Sequence, residues 1–438
     1  MSEQLDFGRV YRQLEALNPV RLSGRVTDVT GLVVEATGPG TPVGSQCVIE
    51  SAWEGGEAIP AEVVGFRGGK LLLMALGELS GVAPGARVTL VAERPLVRVG
   101  TALLGRVIDG LSRPLDRAGP LEGGEPAPLA GRPLNPLDRP PIRDPLDLGV
   151  RAVNGLLTCG RGQRVGIFAG SGVGKSALLG MMARYTRADV NVIALIGERG
   201  REVRSFLERD LGAGLARSVV IVATADQPPL VRLRGAMLAC AVADWFRDQG
   251  RDVLLLMDSL TRLAMAQREI GLSVGEPPTS RGYTPSVFAL LPRLLERAGR
   301  TERGSVTGIY TVLVDGDDMN DPIADAARAL LDGHIVLSRR LAGEGHFPAI
   351  DVLESLSRVM LDVTSREQQA RAARVRSWLA AYREVEDLIQ IGAYQRGTNA
   401  AVDEAIARRP AIAAFLRQAL DEPASLEATE AALAAVTG

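Results

Sequence analysis

Lysine is almost missing from this chain. Among 50 Lys and Arg residues only Lys70 and Lys175 are lysines. Histidine is limited to His334 and His346, too few for a histidine-built metal site. Aromatic residues make up 4% of the chain, which argues against a base-stacking platform for nucleic acid. The formal net charge is −2, so no basic footprint points to nucleic acid either. Cys47, Cys159 and Cys240 are odd in number and lack metal-ligand spacing; they are expected as reduced core thiols of a cytoplasmic protein. No apolar run approaches the ~20 residues of a membrane span. The opening Met-Ser-Glu-Gln-Leu-Asp has neither a basic stretch nor an apolar one behind it, so no secretory signal is expected.

What remains is a large, apolar, arginine-rich chain. With 438 residues and 46% hydrophobic content it can build roughly two to four cored domains. The feature that stands out is Ala169-Gly170-Ser171-Gly172-Val173-Gly174-Lys175-Ser176. It follows the apolar run Arg164–Phe168 and leads into Ala177-Leu178-Leu179-Gly180-Met181-Met182. Strand, glycine loop and helix in that order make a phosphate-binding loop. The glycines let backbone N–H groups turn inward around phosphate oxygens, and the helix start adds its positive end. Gly170, Ser171, Gly172, Val173, Gly174, Lys175, Ser176 and Ala177 are therefore the expected nucleotide cradle. Lys175 reaches for the β/γ-phosphates and the Ser176 hydroxyl for Mg²⁺. Ala169 stands where the first glycine usually does, at the position that touches phosphate least.

Residues 1–18 carry Phe7, Val10, Tyr11, Leu14 and Leu17 at helical spacing before Pro19, an amphipathic helix that either packs on its own domain or docks on a partner. Residues 19–95 read as a β-barrel. Its strands are expected at Leu22–Val29, Leu32–Glu35, Gln46–Ile49, Ala61–Phe66, Lys70–Leu73 and Arg87–Leu90. The Pro- and Gly-rich stretch 96–150 reads as ordered irregular chain lying on the next domain. Beyond it, apolar runs at Arg164–Phe168, Asn191–Ile196, Ser218–Ala223, Val253–Met257, Gly308–Val314 and Ile335–Ser338 alternate with helical stretches. Such runs belong to a mostly parallel sheet buried on both faces, where ligands gather at the carboxyl ends of strands. Residues 96–365 are thus an α/β core, and 366–438, with Val375, Leu379, Tyr382 and Val385 in helical register, a helical end domain.

Three polar groups sit where buried strands end. Val253–Met257 terminates in Asp258, suited to support Mg²⁺ or to cap the next helix. Val192–Ile196 runs into Gly197-Glu198-Arg199-Gly200-Arg201-Glu202. Hydrolysis needs a carboxylate to orient and deprotonate water, and Glu198 is the best candidate, with Glu202 a turn further on. Arg199 either reaches a γ-phosphate or pairs with a neighbouring acid. Arg358 follows Leu353-Glu354-Ser355-Leu356-Ser357; spacing alone leaves it a surface arginine. The acidic run Asp315–Asp321 lacks the glycine and glutamate positions of a calcium loop.

Taken together, Gly197-Glu198-Arg199-Gly200-Arg201-Glu202-Val203, Met257-Asp258-Ser259-Leu260-Thr261-Arg262, Gly275-Glu276-Pro277-Pro278 and Asp332-Gly333-His334-Ile335-Val336-Leu337-Ser338-Arg339 resemble the export ATPases of flagellar and type III secretion systems. These are relatives of the rotary ATP synthase catalytic subunit. The resemblance spans essentially residues 20–420. It implies an N-terminal β-barrel, a RecA-like P-loop core and a C-terminal helical domain, with ATP and Mg²⁺ as ligands. It implies further that Lys175 and Ser176 bind phosphate and Mg²⁺, that Glu198 activates water and that Asp258 supports the metal. Arg358 resembles an arginine finger acting in a neighbouring subunit's site, and Phe347 stands where a tyrosine usually stacks on adenine. Tyr394 is expected near the same base. The resemblance also implies a homo-oligomer, expected as a hexamer, at the inner face of the cytoplasmic membrane. Its implied partners are a stalk-type regulator at the N-terminal helix, a central stalk, an export gate and chaperone–cargo complexes. Gly170–Gly174 with Met181–Thr186 looks flagellar, whereas Thr158-Cys159-Gly160 leans to the virulence-type branch; the flagellar reading is favoured.

Two other classes compete. A non-catalytic ring subunit shares this fold but lacks the base, so Glu198 argues against it. A RecA-like helicase needs a basic, aromatic-bearing N-terminal module, whereas 20–95 is nearly neutral with only Trp53 and Phe66 as aromatics.

Overall fold

A computed structural model describes residues 23–438 apart from Pro39, Arg132, Pro133, Asp315 and Asp317. The amphipathic segment 1–18 lies outside the described residues. The described chain forms two compact units, one of residues 23–95 with Ser273–Gly275, the other of the remainder.

The first unit is a closed six-stranded barrel. Strands β1 (Ser23–Thr30), β2 (Val33–Thr37), β3 (Gln46–Ile49), β4 (Ile59–Arg67), β5 (Lys70–Ala75) and β6 (Arg87–Ala92) close in the order β1-β2-β5-β4-β3-β6. Alternate residues point inward: Cys47 and Ile49 of β3, and Ile59, Ala61 and Val63 of β4, meet Val26, Val34, Leu71, Leu73 and Val88. Small and branched side chains fill so narrow a barrel completely. Bulges at Val26/Asp28 and Val63/Gly65 supply the bends that closure requires.

The stretch after the barrel is more regular than its proline content suggests. β7 (Leu96–Val99) pairs antiparallel with β9 (Glu125–Pro128), and β8 (Val107–Asp109) joins the main sheet as an edge strand parallel to its neighbour. The main sheet also contains β10 (Arg164–Ala169), β11 (Val190–Ile196), β12 (Ser218–Ala223), β13 (Asp252–Asp258), β14 (Gly299–Arg300), β15 (Ser305–Leu313), β16 (Gly333–Leu337) and β17 (Ile350–Ser357). Its order is β17-β16-β10-β15-β13-β11-β12-β8, with β14 beside β15. β17 and β14 are antiparallel; every other pairing is parallel.

All seven residues of β11 are buried, because both faces are covered. Val192, Ala194 and Ile196 pack toward helix Pro229–Asp248, while Ile193 and Leu195 face helix Lys175–Tyr185. The C-terminal helices Arg366–Gln390, Ala400–Leu416 and Leu426–Thr437 begin on Ser365, Asn399 and Ser425, whose side chains accept from the first-turn amides. They bury Val375, Trp378, Phe415 and Leu433 in the core of the second unit. Gln418 ties them down: its side chain accepts from Arg151 N at 2.7 Å and donates to Gly149 O at 2.8 Å. Cys47, Cys159 and Cys240 are all buried and free.

Candidate nucleotide site

β10, β13 and β11 are parallel members of one sheet, so their carboxyl ends open on the same edge. From β10 the chain enters the glycine loop and then helix Lys175–Tyr185. Gly174 caps that helix with φ 93°, a left-handed conformation that a side chain would strain. Arg217 secures the other end of the helix: its guanidinium donates to the carbonyls of Ala183, Arg184, Thr186 and Ala188 at 2.9–3.0 Å. A cation there matches the negative end of the helix dipole.

Lys175 begins the helix and turns its ammonium across the sheet edge. Nζ lies 2.5 Å from Asp258 Oδ1 and 3.5 Å from Glu198 Oε1. Asp258 ends β13, and its Oδ1 also accepts from Thr311 Oγ1 of β15 at 2.6 Å. Glu198 follows β11 by way of Gly197, where a Cβ would lie 2.8 Å from the aliphatic chain of Arg262. Arg262 Nε sits 3.3 Å from Glu198 Oε1. Glu198 Oε1 is buried and accepts no hydrogen bond, because neither cation meets it in hydrogen-bond geometry. Burial pushes the Glu198 carboxyl up to about 7; Lys175 opposes this, the Asp258 charge adds to it, and so does a hydrogen bond with Glu202. The same bond holds Glu202 below the ordinary carboxylate range.

Ser176 is exposed in the first helical turn. Phe347 is brought to the loop: two of its ring carbons lie 3.6 Å from where a Cβ on Gly174 would stand. Phe347 is 44% exposed, and its carbonyl accepts from Gln418 N at 3.0 Å. An open aromatic face thus stands beside the phosphate loop.

Three expected residues are not gathered there. Arg199 points to solvent with its side chain 64% exposed and pairs with Glu202 at 3.7 Å. Tyr394 bonds instead to Asp403 Oδ1 at 3.1 Å, at the start of helix Ala400–Leu416. Phe347 is tied to Gln418 just past the other end of that helix, so helical rise separates the two by about 20 Å. Tyr394 thus stands apart from Phe347. Arg358 is at the opposite end of the sheet from the loop. Ser357 pairs with Gly333, and Arg358 N donates to Asp332 O, whose residue is itself paired to Arg164 at the start of β10. The loop lies a strand length away, about 17 Å. Arg358 is out of reach of its own phosphate loop.

Arg262 and Thr311 belong to the site although no role was read for either from sequence. Arg262 lies in the first turn of helix Leu260–Ser273, which starts two residues after Asp258 ends β13. Thr311 sits within the buried run Ile309-Tyr310-Thr311-Val312, which reads as core strand throughout.

A parallel sheet with a glycine loop, its lysine and two carboxylates at one edge defines a P-loop nucleotide-binding core. A family model for the nucleotide-binding domain of the ATP synthase alpha/beta family matches residues 149–357, and one for its beta-barrel domain matches 26–90. A model for the T3SS EscN ATPase C-terminal domain matches 364–435. The flagellum-specific ATP synthase of Bacillus subtilis is 54% identical over 426 residues, 97% of each chain. That of Salmonella typhimurium is 53% identical over 95% of this chain and 93% of its own. The type 3 secretion system ATPase of Xanthomonas euvesicatoria is 50% identical over 97% of this chain and 96% of its own. Among solved structures, the assembled ATPase EscN of the enteropathogenic E. coli type III secretion system matches with a TM-score of 0.90 at 45% identity, covering 95% of this chain and 100% of that one. The chain belongs to the flagellar and type III secretion ATPases, a branch of the ATP synthase alpha/beta family, and is an ATPase.

Proposed function

We propose that this protein hydrolyses Mg²⁺–ATP as a ring-forming subunit that energises protein export through a flagellar type III apparatus. The observation that carries the chemistry is the convergence of Lys175, Asp258 and Glu198 at one sheet edge. Lys175 leaves its carboxylates to hold the β/γ-phosphates, alongside the backbone amides of Gly170, Ser171, Gly172, Val173, Gly174, Lys175, Ser176 and Ala177. Phe347 stacks on the adenine. Glu198, freed from the ammonium, orients the attacking water and takes its proton at Oε1. Arg262 keeps that carboxylate in place.

Mg²⁺ fits the donors present. Among the described residues there is no group of three His, Cys, Asp or Glu side chains ready to hold a metal. Mg²⁺ in phosphate sites, however, takes one or two protein ligands and completes its shell with phosphate and water. Ser176 and Asp258 supply such hard oxygen donors. When bound, the ion screens the phosphate charge.

The flagellar assignment is supported by relatives in Bacillus, Pseudomonas and Salmonella at 53–54% identity, against 50% for the virulence-type relative in Xanthomonas. The injectisome role is the second reading. EscN is solved as an assembled ATPase and in complex with its central stalk EscO. By that analogy this chain forms a ring, read as a hexamer, around a stalk. The N-terminal segment 1–18 takes a stalk-type regulator, and the ring works on chaperone–cargo complexes below the export gate. No helix among the described residues is long and apolar enough to cross a membrane. The reading places the protein in the cytoplasm, peripheral at the inner face of the membrane.

The test is Glu198→Gln, which keeps shape and removes charge. It should bind ATP as wild type does and hydrolyse it about 10²-fold or more slowly. Turnover near that of wild type would sink the assignment.

A further inference from the structure

β15 lies between the phosphate-loop strand β10 and the Asp258 strand β13. Thr311 is level with Ile167 of β10, and Tyr310 is level with Met257, so Thr311 stands beside Asp258 across the gap between strands. It is fully buried, with 0% of its surface exposed. Its hydroxyl donates to Asp258 Oδ1 at 2.6 Å, the same oxygen that Lys175 Nζ meets at 2.5 Å.

The two donors differ in kind. The lysine stem is flexible and its ammonium is the group that leaves for phosphate. Threonine is β-branched, so its χ1 is stiff and its hydroxyl is held where the strand puts it. Once the ammonium turns away, Thr311 is the contact that remains on Oδ1. A hydrogen bond to a charged acceptor in a dry environment is among the stronger ones.

We infer that Thr311 is a positioning residue for Asp258, fixing the carboxylate for Mg²⁺–nucleotide after Lys175 has let go. Sealed inside the sheet, it acts through Asp258 alone. The inference rests on the reading of Asp258 as metal support. It distinguishes two forms of the ligand: nucleotide with Mg²⁺ depends on Thr311, and nucleotide without it does not.

The experiment uses the full chain and a fluorescent ADP analogue, titrated with Mg²⁺ and with EDTA. Thr311→Val keeps the volume and deletes the donor. It should weaken binding about tenfold in Mg²⁺ and raise the Mg²⁺ concentration needed by a similar factor. Metal-free binding should stay within about twofold, and Thr311→Ser should restore the Mg²⁺ response. If the valine variant does not fold, Thr311→Ala against Thr311→Ser gives the same comparison. Equal losses with and without Mg²⁺, no loss at all, or a serine variant as impaired as valine would each overturn the inference. Asp258→Asn is the control: if it leaves the Mg²⁺ response intact, the metal reading fails. If it abolishes the response while Thr311→Val does not, only the role of Thr311 fails.

Discussion

Lys175 and Asp258 face each other at 2.5 Å, with side chains 12% and 5% exposed, and Glu198 stands 3.5 Å from the same ammonium. One ammonium therefore serves two buried acids. Removing it takes a cation from both. Thr311 still serves Asp258, but Glu198 Oε1 keeps only Arg262.

Lys175→Ala should thus be less stable without nucleotide, as well as unable to bind it. Breaking a buried pair by deleting one partner costs about 3 kcal/mol or more. The loss should appear as a melting temperature several degrees below wild type. It should shrink as pH falls toward about 5, because a protonated Glu198 no longer needs the ammonium. A Lys175→Ala protein that melts with wild type at pH 8 would show that the pairing contributes nothing.

Glu198 predicts opposite signs for activity and stability. Burial raises its carboxyl from 4.5 to about 7. Between those pH values the native state holds a proton that the unfolded state has lost, so stability falls as pH rises through that window. Glutamine carries no such penalty. Glu198→Gln should melt higher than wild type at pH 8 and level with it at pH 5. Wild-type kcat/KM should fall about tenfold per pH unit below about 7, since the base must be unprotonated in the free enzyme. A flat profile from pH 8 to 5.5 would remove Glu198 from the role of base.

Phe347 offers a milder test. Its exposed ring beside Gly174 is read as a stacking face, and stacking on a base is worth about 1–3 kcal/mol. Phe347→Ala should raise the KM for ATP about tenfold or more and change kcat little, whereas Phe347→Tyr should be close to wild type. An unchanged KM in the alanine variant would show that the base binds elsewhere.

The legible parts of the molecule were those that repeat a local pattern. The Ser218–Ala223 strand was read to the residue because a strand covered on both faces is apolar throughout. β17 was not read, since as an antiparallel edge strand it carries Glu354 and Ser355 among its leucines. β8 has only three residues inside a proline-rich stretch, too short for any period. In the site, Lys175 is legible from the glycine loop, and Glu198 and Asp258 as polar groups at strand ends. Thr311 did not, because what matters about it is its level on a strand two places from its own in sequence order. The distance of Tyr394 from Phe347 is not legible either, because a motif does not say to which end of a long helix its loop belongs.

The last prediction concerns Arg358. Its backbone is tied to Asp332 at the amino end of β10, about a strand length from the phosphate loop at the carboxyl end. The side chain is exposed, with one donor 3.5 Å from Arg328 O and no acid partner among its described hydrogen bonds. Such an arginine does nothing for its own nucleotide, but it is free to stabilise transition-state charge in a neighbour's site. Activity per chain should then rise with protein concentration as rings assemble. Arg358→Ala should bind nucleotide, assemble, and turn over about 10³-fold more slowly. Lys175→Ala should be inactive for the separate reason that its own loop is empty of its lysine. Mixing the two should restore turnover, because some interfaces then pair an intact loop from one chain with an intact arginine from the other. Differently tagged subunits that co-purify would establish that mixed rings form. If they form and no ratio of the two recovers ATP hydrolysis, Arg358 does not act across the subunit boundary.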